Sequence, residues 1–208
     1  MARSCSTSVS SASSSLTSQA LQAALREPAG ARPGHIHGRI QAAVLVALYI
    51  DAGELHTVFT RRRADLRRHP GEISFPGGRR DDGEHDLSVT ALREAEEEIG
   101  LPRSAVRLLG TLTPTPTVAT SFAIHPFVGL IEPGLRWTPS PIEVDEVLEL
   151  GLADLRAAHE RRRMLIRGIP FRSDVYALAG RGVIWGATAR IASDLLERLG
   201  PLLHGAGR

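Results

Sequence analysis

Nine apolar residues stand in an unbroken row at positions 42–50 (Ala-Ala-Val-Leu-Val-Ala-Leu-Tyr-Ile). This run constrains the fold more than any other feature. Its length is that of a buried strand, and it falls well short of the roughly 18 apolar residues that cross a bilayer. A strand that is apolar on both sides of its pleat must be covered on both faces. Asp51-Ala52-Gly53 then supplies a turn, and residues 55–60 read as the hairpin partner. Residues 73–75 form a short strand before Pro76-Gly77-Gly78. Residues 87–99 read as a helix with Asp86 as N-cap, Leu92, Ala95 and Ile99 on one face and Gly100 as the stop. Residues 106–112, 122–131, 144–150, 163–166 and 175–178 are further strands, and 184–199 is a second long amphipathic helix. No internal repeat is present. Strands in mixed order with two separated helices give the class α+β, a sheet between helices.

The chain has 208 residues, enough for one well-buried core. One cysteine, Cys5, excludes an internal disulfide framework and a cysteine-based zinc site. All 25 basic residues are Arg, and Lys and Asn are absent, as codon usage in a GC-rich genome produces. The sequence pI of about 9.3 suggests nucleic acid only if the charge is concentrated. Net charge is +2, aromatics are 4%, and no nucleic-acid motif is present, so neither nucleic acid nor membrane is expected as a partner. Residues 4–18 hold nine serines, and no acid precedes Glu27. Residues 1–35 are therefore expected to be a disordered tail, with 36–208 as the folded domain. A short helix at 16–25 ended by the Pro/Gly-rich 28–34 is also compatible, as is an organelle transit peptide. A cytoplasmic, bacterial setting is the expectation.

The chemistry is concentrated in residues 78–101. Arg93-Glu94-Ala95-Glu96-Glu97-Glu98 places four carboxylates within five positions. At helical spacing Glu94, Glu97 and Glu98 share a side and Glu96 points elsewhere. Like charges so spaced repel, and a hard divalent cation offsets the repulsion with oxygen ligands. A bare acidic run is equally a solvated helix face; its context decides. From Gly78 the chain reads G-x5-E-x8-R-E-A-x-E-E-x-G-L.

This pattern resembles the Nudix box, with a spacer one residue longer than usual between Glu84 and Arg93 and a small Ala95 at a bulky position. The preceding segment, residues 58–78, resembles the signature of the coenzyme A pyrophosphatase branch, a branch in which the longer spacer is usual. Thr60, Arg61, Arg67, Gly71 and Phe75-Pro76-Gly77-Gly78 are read as matching, and Arg63 stands where Ser or Ala is usual. Residues 125–129, 141–147 and 184–190 resemble the branch as well, so the likeness spans about 38–199.

The resemblance implies an α/β/α sandwich with a loop–helix–loop metal site, a divalent cofactor (Mg²⁺ or Mn²⁺) and a small diphosphate substrate like coenzyme A. It implies Glu94, Glu97, Glu98 and the Gly78 carbonyl as metal ligands, with Glu94 as alternative base. It makes Arg93 a residue that orients a glutamate and Glu84 a support for the loop. Glu143 and Glu146 are the candidates for a general base from a later loop. Arg61, Arg67, Gly77 and Gly78 are expected against substrate; Arg62, Arg63, Arg68 and the run 161–163 are read as solvated surface. His69, His85 and His125 lack metal-ligand spacing, and Trp185 is read as core. Three alternatives stay open: another nucleoside diphosphate substrate (ADP-ribose, a dinucleotide or an oxidised nucleoside triphosphate), a non-catalytic nucleotide sensor, and assembly as a homodimer.

Overall fold

The computed structural model describes residues 16–25, 40–117, 121–166 and 169–203. Cys5, the Ser-rich run up to residue 15 and the Pro/Gly-rich break at 28–34 lie outside them. The apolar run becomes the central strand β1 (Ile40–Asp51). It forms a tight hairpin with β2 (Glu54–Arg62) and pairs in parallel with β7 (Phe122–Leu130). Around this centre, β3 (Ile73–Ser74) and β8 (Val144–Gly151) pair with β2, and β4 (Gly77–Arg79) pairs with β1. β5 (Arg107–Thr111) and β6 (Thr115–Pro116) pair with β7. One parallel pair among antiparallel ones makes the eight-stranded sheet mixed.

Both faces are covered, as the apolar run demands. Ala43, Leu45, Ala47, Tyr49 and Val58 face α2 (Leu87–Ile99) through Ala91, Ala95 and Ile99. Val46, Leu48, Leu55, Phe59 and Leu148 face the other way. There they meet α1 (Ser18–Leu25), α3 (Leu152–Ala157) and α4 (Gly186–Leu203). A second antiparallel sheet stands on this side, made of β9 (His159–Ile166), β10 (Ile169–Leu178) and β11 (Gly182–Ile184). The chain order gives its strands, but not that they leave the main sheet.

Two expectations change here. α1 lies within the segment read as a tail, yet Leu21 and Leu25 are fully buried against the core. A short amphipathic helix is marginal alone and is held by packing. Leu21→Ala is expected to lower stability by about 2–5 kcal/mol, read from the midpoint of urea unfolding. Trp185 is not core: it is 37% exposed at the end of β11, and Ile184 takes the buried place.

Candidate active site

α2 is the best-defined element of the site. The Asp86 side chain accepts from the Ser88 N–H at 2.8 Å and caps the helix start. Gly100, at φ 69°, ends it in the left-handed region, where glycine carries no Cβ penalty. Ala91 and Ala95 are fully buried four residues apart, so the helix lies close on β1. This accounts for the small residue at position 95.

That approach brings the glutamates onto the start of β4. Glu98 is buried, and its Oε2 accepts from the Gly77 N–H at 3.2 Å. Glu94 lies against Gly78: a Cβ there would sit 2.5 Å from the Glu94 carboxylate. Burial pushes the Glu98 carboxyl up to about 8, and neighbouring Glu94 and Glu143 push in the same direction. The Gly77 N–H and Arg62 act against them. Burial also raises Glu94, with Arg93 opposing.

Arg93 organises the acids. Its Nε donates to Glu84 Oε1 at 3.0 Å, and its Nη1 donates to Glu94 Oε1 at 2.9 Å and Glu97 Oε2 at 3.0 Å. Its Nη2 reaches the Arg79 carbonyl at 3.1 Å. Glu84 in turn accepts from the Thr90 hydroxyl and the Asp81 N–H. These bonds, the one to Arg93 foremost, hold the Glu84 carboxyl down at about 2. Glu97 is on the open side, 57% exposed, while Glu96 pairs with Arg103 away from the site.

The far wall is built from the C-terminal end of α2. The Ser140 N–H donates to the Glu98 carbonyl at 2.8 Å and the Thr138 N–H to that of Ile99 at 3.0 Å. This docks the loop ahead of β8 and delivers Glu143 beside Glu94 and Glu98. Arg63 ties the same loop down, donating to the Pro141 carbonyl at 2.9 Å.

Strand alternation then sorts the arginines and late glutamates onto two faces. Arg62 points to the α2 side: its Nη1 stands 3.7 Å from Glu143 Oε2, and its charge is felt by Glu98. Its Nε is buried without a hydrogen-bond partner. Arg61 points to the opposite face, where Nη1 pairs with Glu146 Oε2 at 2.9 Å. Glu146 also holds Arg181 Nη2 at 3.0 Å. The expectations for Arg61, Glu146 and Arg62 are corrected accordingly. The residue at the glutamates is Arg62, directly before the atypical Arg63, and one position of signature offset hides it. Arg67 and Arg68 are exposed in the loop between β2 and β3. His69 pairs with Glu72 at 2.7 Å and buried His125 with Gln41 at 2.8 Å.

Among the described residues no three acids converge as a ready cage, and Glu94 and Glu97 each accept from Arg93. The donor set nonetheless suits a hard cation. One buried and one partly buried carboxylate, both destabilised by burial and by neighbouring acids, against a glycine whose Cβ would fill the space, fit an oxygen-ligated divalent ion.

The box on α2, the turn it faces and the covered mixed sheet now bear on family. The NUDIX domain profile matches residues 39–167. The chain belongs to the Nudix family. A protein of Pectobacterium atrosepticum named as an uncharacterized Nudix hydrolase, NudL, is 37% identical over 172 residues, covering 82% of this chain and 88% of that one. The NudL of Cronobacter sakazakii is 37% identical over 161 residues, 77% of this chain and 83% of its own. Among solved structures, a Caenorhabditis elegans Ap4A hydrolase superposes with a TM-score of 0.51 at 18% identity, over 80% of this chain and 98% of its own. At that identity the likeness concerns the fold alone. As a Nudix hydrolase the protein is an enzyme for a nucleoside diphosphate-linked substrate, and divalent metal is the family's general cofactor. No helix among the described residues is long and apolar enough to cross a membrane.

Proposed function

We propose that this Nudix hydrolase cleaves the diphosphate of coenzyme A or its derivatives, with Mg²⁺ or Mn²⁺, in a bacterial cytoplasm. Water adds to one phosphorus, and the bond from that phosphorus to the bridging oxygen breaks. The products are 3′,5′-ADP and 4′-phosphopantetheine or its acyl form. The observation that carries the reading is Arg62. The segment resembling the coenzyme A signature supplies Arg62, which stands 3.7 Å from Glu143 and whose charge is felt by the box residue Glu98. The Arg62 Nε is buried without an acceptor, at a cost of about 1–3 kcal/mol. Guanidinium suits phosphate bidentately.

In this reading Glu94, Glu97, Glu98 and the Gly78 carbonyl would hold the metal. The metal, when bound, neutralises charge on the diphosphate and lowers the pKa of water. Glu143 takes the proton of the attacking water, since Glu146 is turned away between two guanidiniums. Arg93 and Glu84 hold the acidic side chains in place.

Purified protein with Mg²⁺ is offered coenzyme A, ADP-ribose, a dinucleotide and an oxidised nucleoside triphosphate, with products identified by mass. Coenzyme A is expected to give the highest kcat/KM. Brisk turnover of ADP-ribose beside inert coenzyme A sinks the substrate assignment.

A further inference from the structure

Behind the site, on the face away from α2, two guanidiniums close on one carboxylate. Glu146 on β8 receives Arg61 from β2 at 2.9 Å and Arg181 from the β10–β11 turn at 3.0 Å. Arg61 Nη2 also donates to the backbone carbonyl of Arg181. Next to this bond lies Gly182, at φ 106°, where an added Cβ would stand 3.3 Å from Ile73 Cδ1 on β3. The second sheet is thus fastened to the back of the strands that carry the site.

The fastening falls at an irregularity. Between β2 and β8 the register slips: Arg61 faces Glu146, but Arg62 faces Val144, which leaves Asp145 as the extra residue. A bulge bends its strand and re-aims the side chains beside it. Here the re-aimed groups are Arg62 and, through the Arg63 N–H bond to the Glu143 carbonyl at 3.0 Å, the Glu143 backbone. A bulge lacks the regular ladder that would fix it, so its geometry depends on what grips the strands around it.

We infer that Arg181 is a positioning residue of the active site: through Glu146 and Arg61 it grips the bulge from behind and sets where Arg62 and Glu143 stand against Glu98. In this inference Arg181 acts through Glu146 and Arg61 rather than on the substrate itself. The inference rests on the role given above to Arg62 but not on the identity of the substrate. The surface pair is half-exposed, so its direct worth to global stability is small. Its removal acts on alignment, where small misplacements are costly.

The test is a double-mutant cycle with Arg181→Ala and Arg62→Ala, run on whichever diphosphate the wild type turns over fastest. A failed coenzyme A assignment therefore leaves the cycle readable. Arg181→Ala is expected to lower kcat/KM about tenfold with little change in melting temperature, and Arg181→Lys to recover most of it. In the Arg62→Ala background the same change is expected to cost less than about twofold. An equal loss in both backgrounds, or no loss in the first, overturns the inference. If Arg181→Ala fails to fold, Glu146→Gln takes its place in the same cycle, with the same two outcomes.

Discussion

Glu98→Gln is expected to lower kcat by about 10²–10³-fold while making the metal-free protein more stable at neutral pH. Both effects follow from one buried carboxylate. Its folded pKa of about 8 lies above the ordinary 4.5. Below about pH 4.5 the group is protonated folded or unfolded, and it contributes nothing. Between 4.5 and 8 the unfolded chain ionises and the folded one holds its proton, so stability falls as pH rises. The full span amounts to a few kcal/mol at most. A divalent cation reverses the sign by favouring the ionised form. Thermal melts of the wild type without metal are expected to drop from pH 5 to pH 8. Mg²⁺ or Mn²⁺ should raise them more at pH 8 than at pH 6, and Glu98→Gln should flatten both trends. A Glu98→Gln protein that keeps the wild-type response to Mn²⁺ argues that the ion sits elsewhere.

Gly77→Ala is expected to destabilise by about 3–5 kcal/mol, or roughly 10 °C in melting temperature. The new Cβ would lie 2.4 Å from the Ala43 carbonyl oxygen and 2.6 Å from Val44 Cα. Those are backbone atoms of the central strand and have nowhere to go. Gly78→Ala makes the informative contrast. The three atoms nearest its Cβ all belong to the Glu94 carboxylate, a side-chain end that can swing away. That variant is expected to fold and to lose activity by at least tenfold. Measuring melting and turnover on both separates a glycine the strand needs from one the glutamate needs. Equal melting temperatures for the two variants contradict this account.

How legible the molecule is in its sequence depends on whether a feature is local. The bounds of α2 can be read from Asp86 and Gly100, because capping is decided within a few residues. The buried strand β1 is equally plain in nine apolar letters. β4 and β6, of three and two residues, carry no periodicity and exist only because β1 and β7 lie beside them. The second sheet has readable strands and an unreadable partner. The arginines show the limit best. Alternation states that Arg61 and Arg62 face opposite ways, but not which way the glutamates lie; only the packing of Val58 under α2 and Phe59 beneath the other layer decides it. Glu143 and Glu146 divide on the same ground, helped by a bulge that sequence spacing does not announce.

The parallel pairing of β1 with β7 has a consequence for how the enzyme comes into being. Ile40 meets Phe122 and Thr57 meets Leu150, so the sheet is closed by contacts some eighty to ninety residues apart. Such high contact order makes folding slow, since long loops must close before any pairing rewards them. On the ribosome α2 emerges early, carrying its acids exposed and unpaired with their far wall. Arg62 and Glu143 can meet only when β8 has left the exit tunnel and docked on β2. On the roles proposed above, the site is therefore assembled late in synthesis, and a chain cut before β8 would carry the whole Nudix box without the strand that pairs beside Arg62.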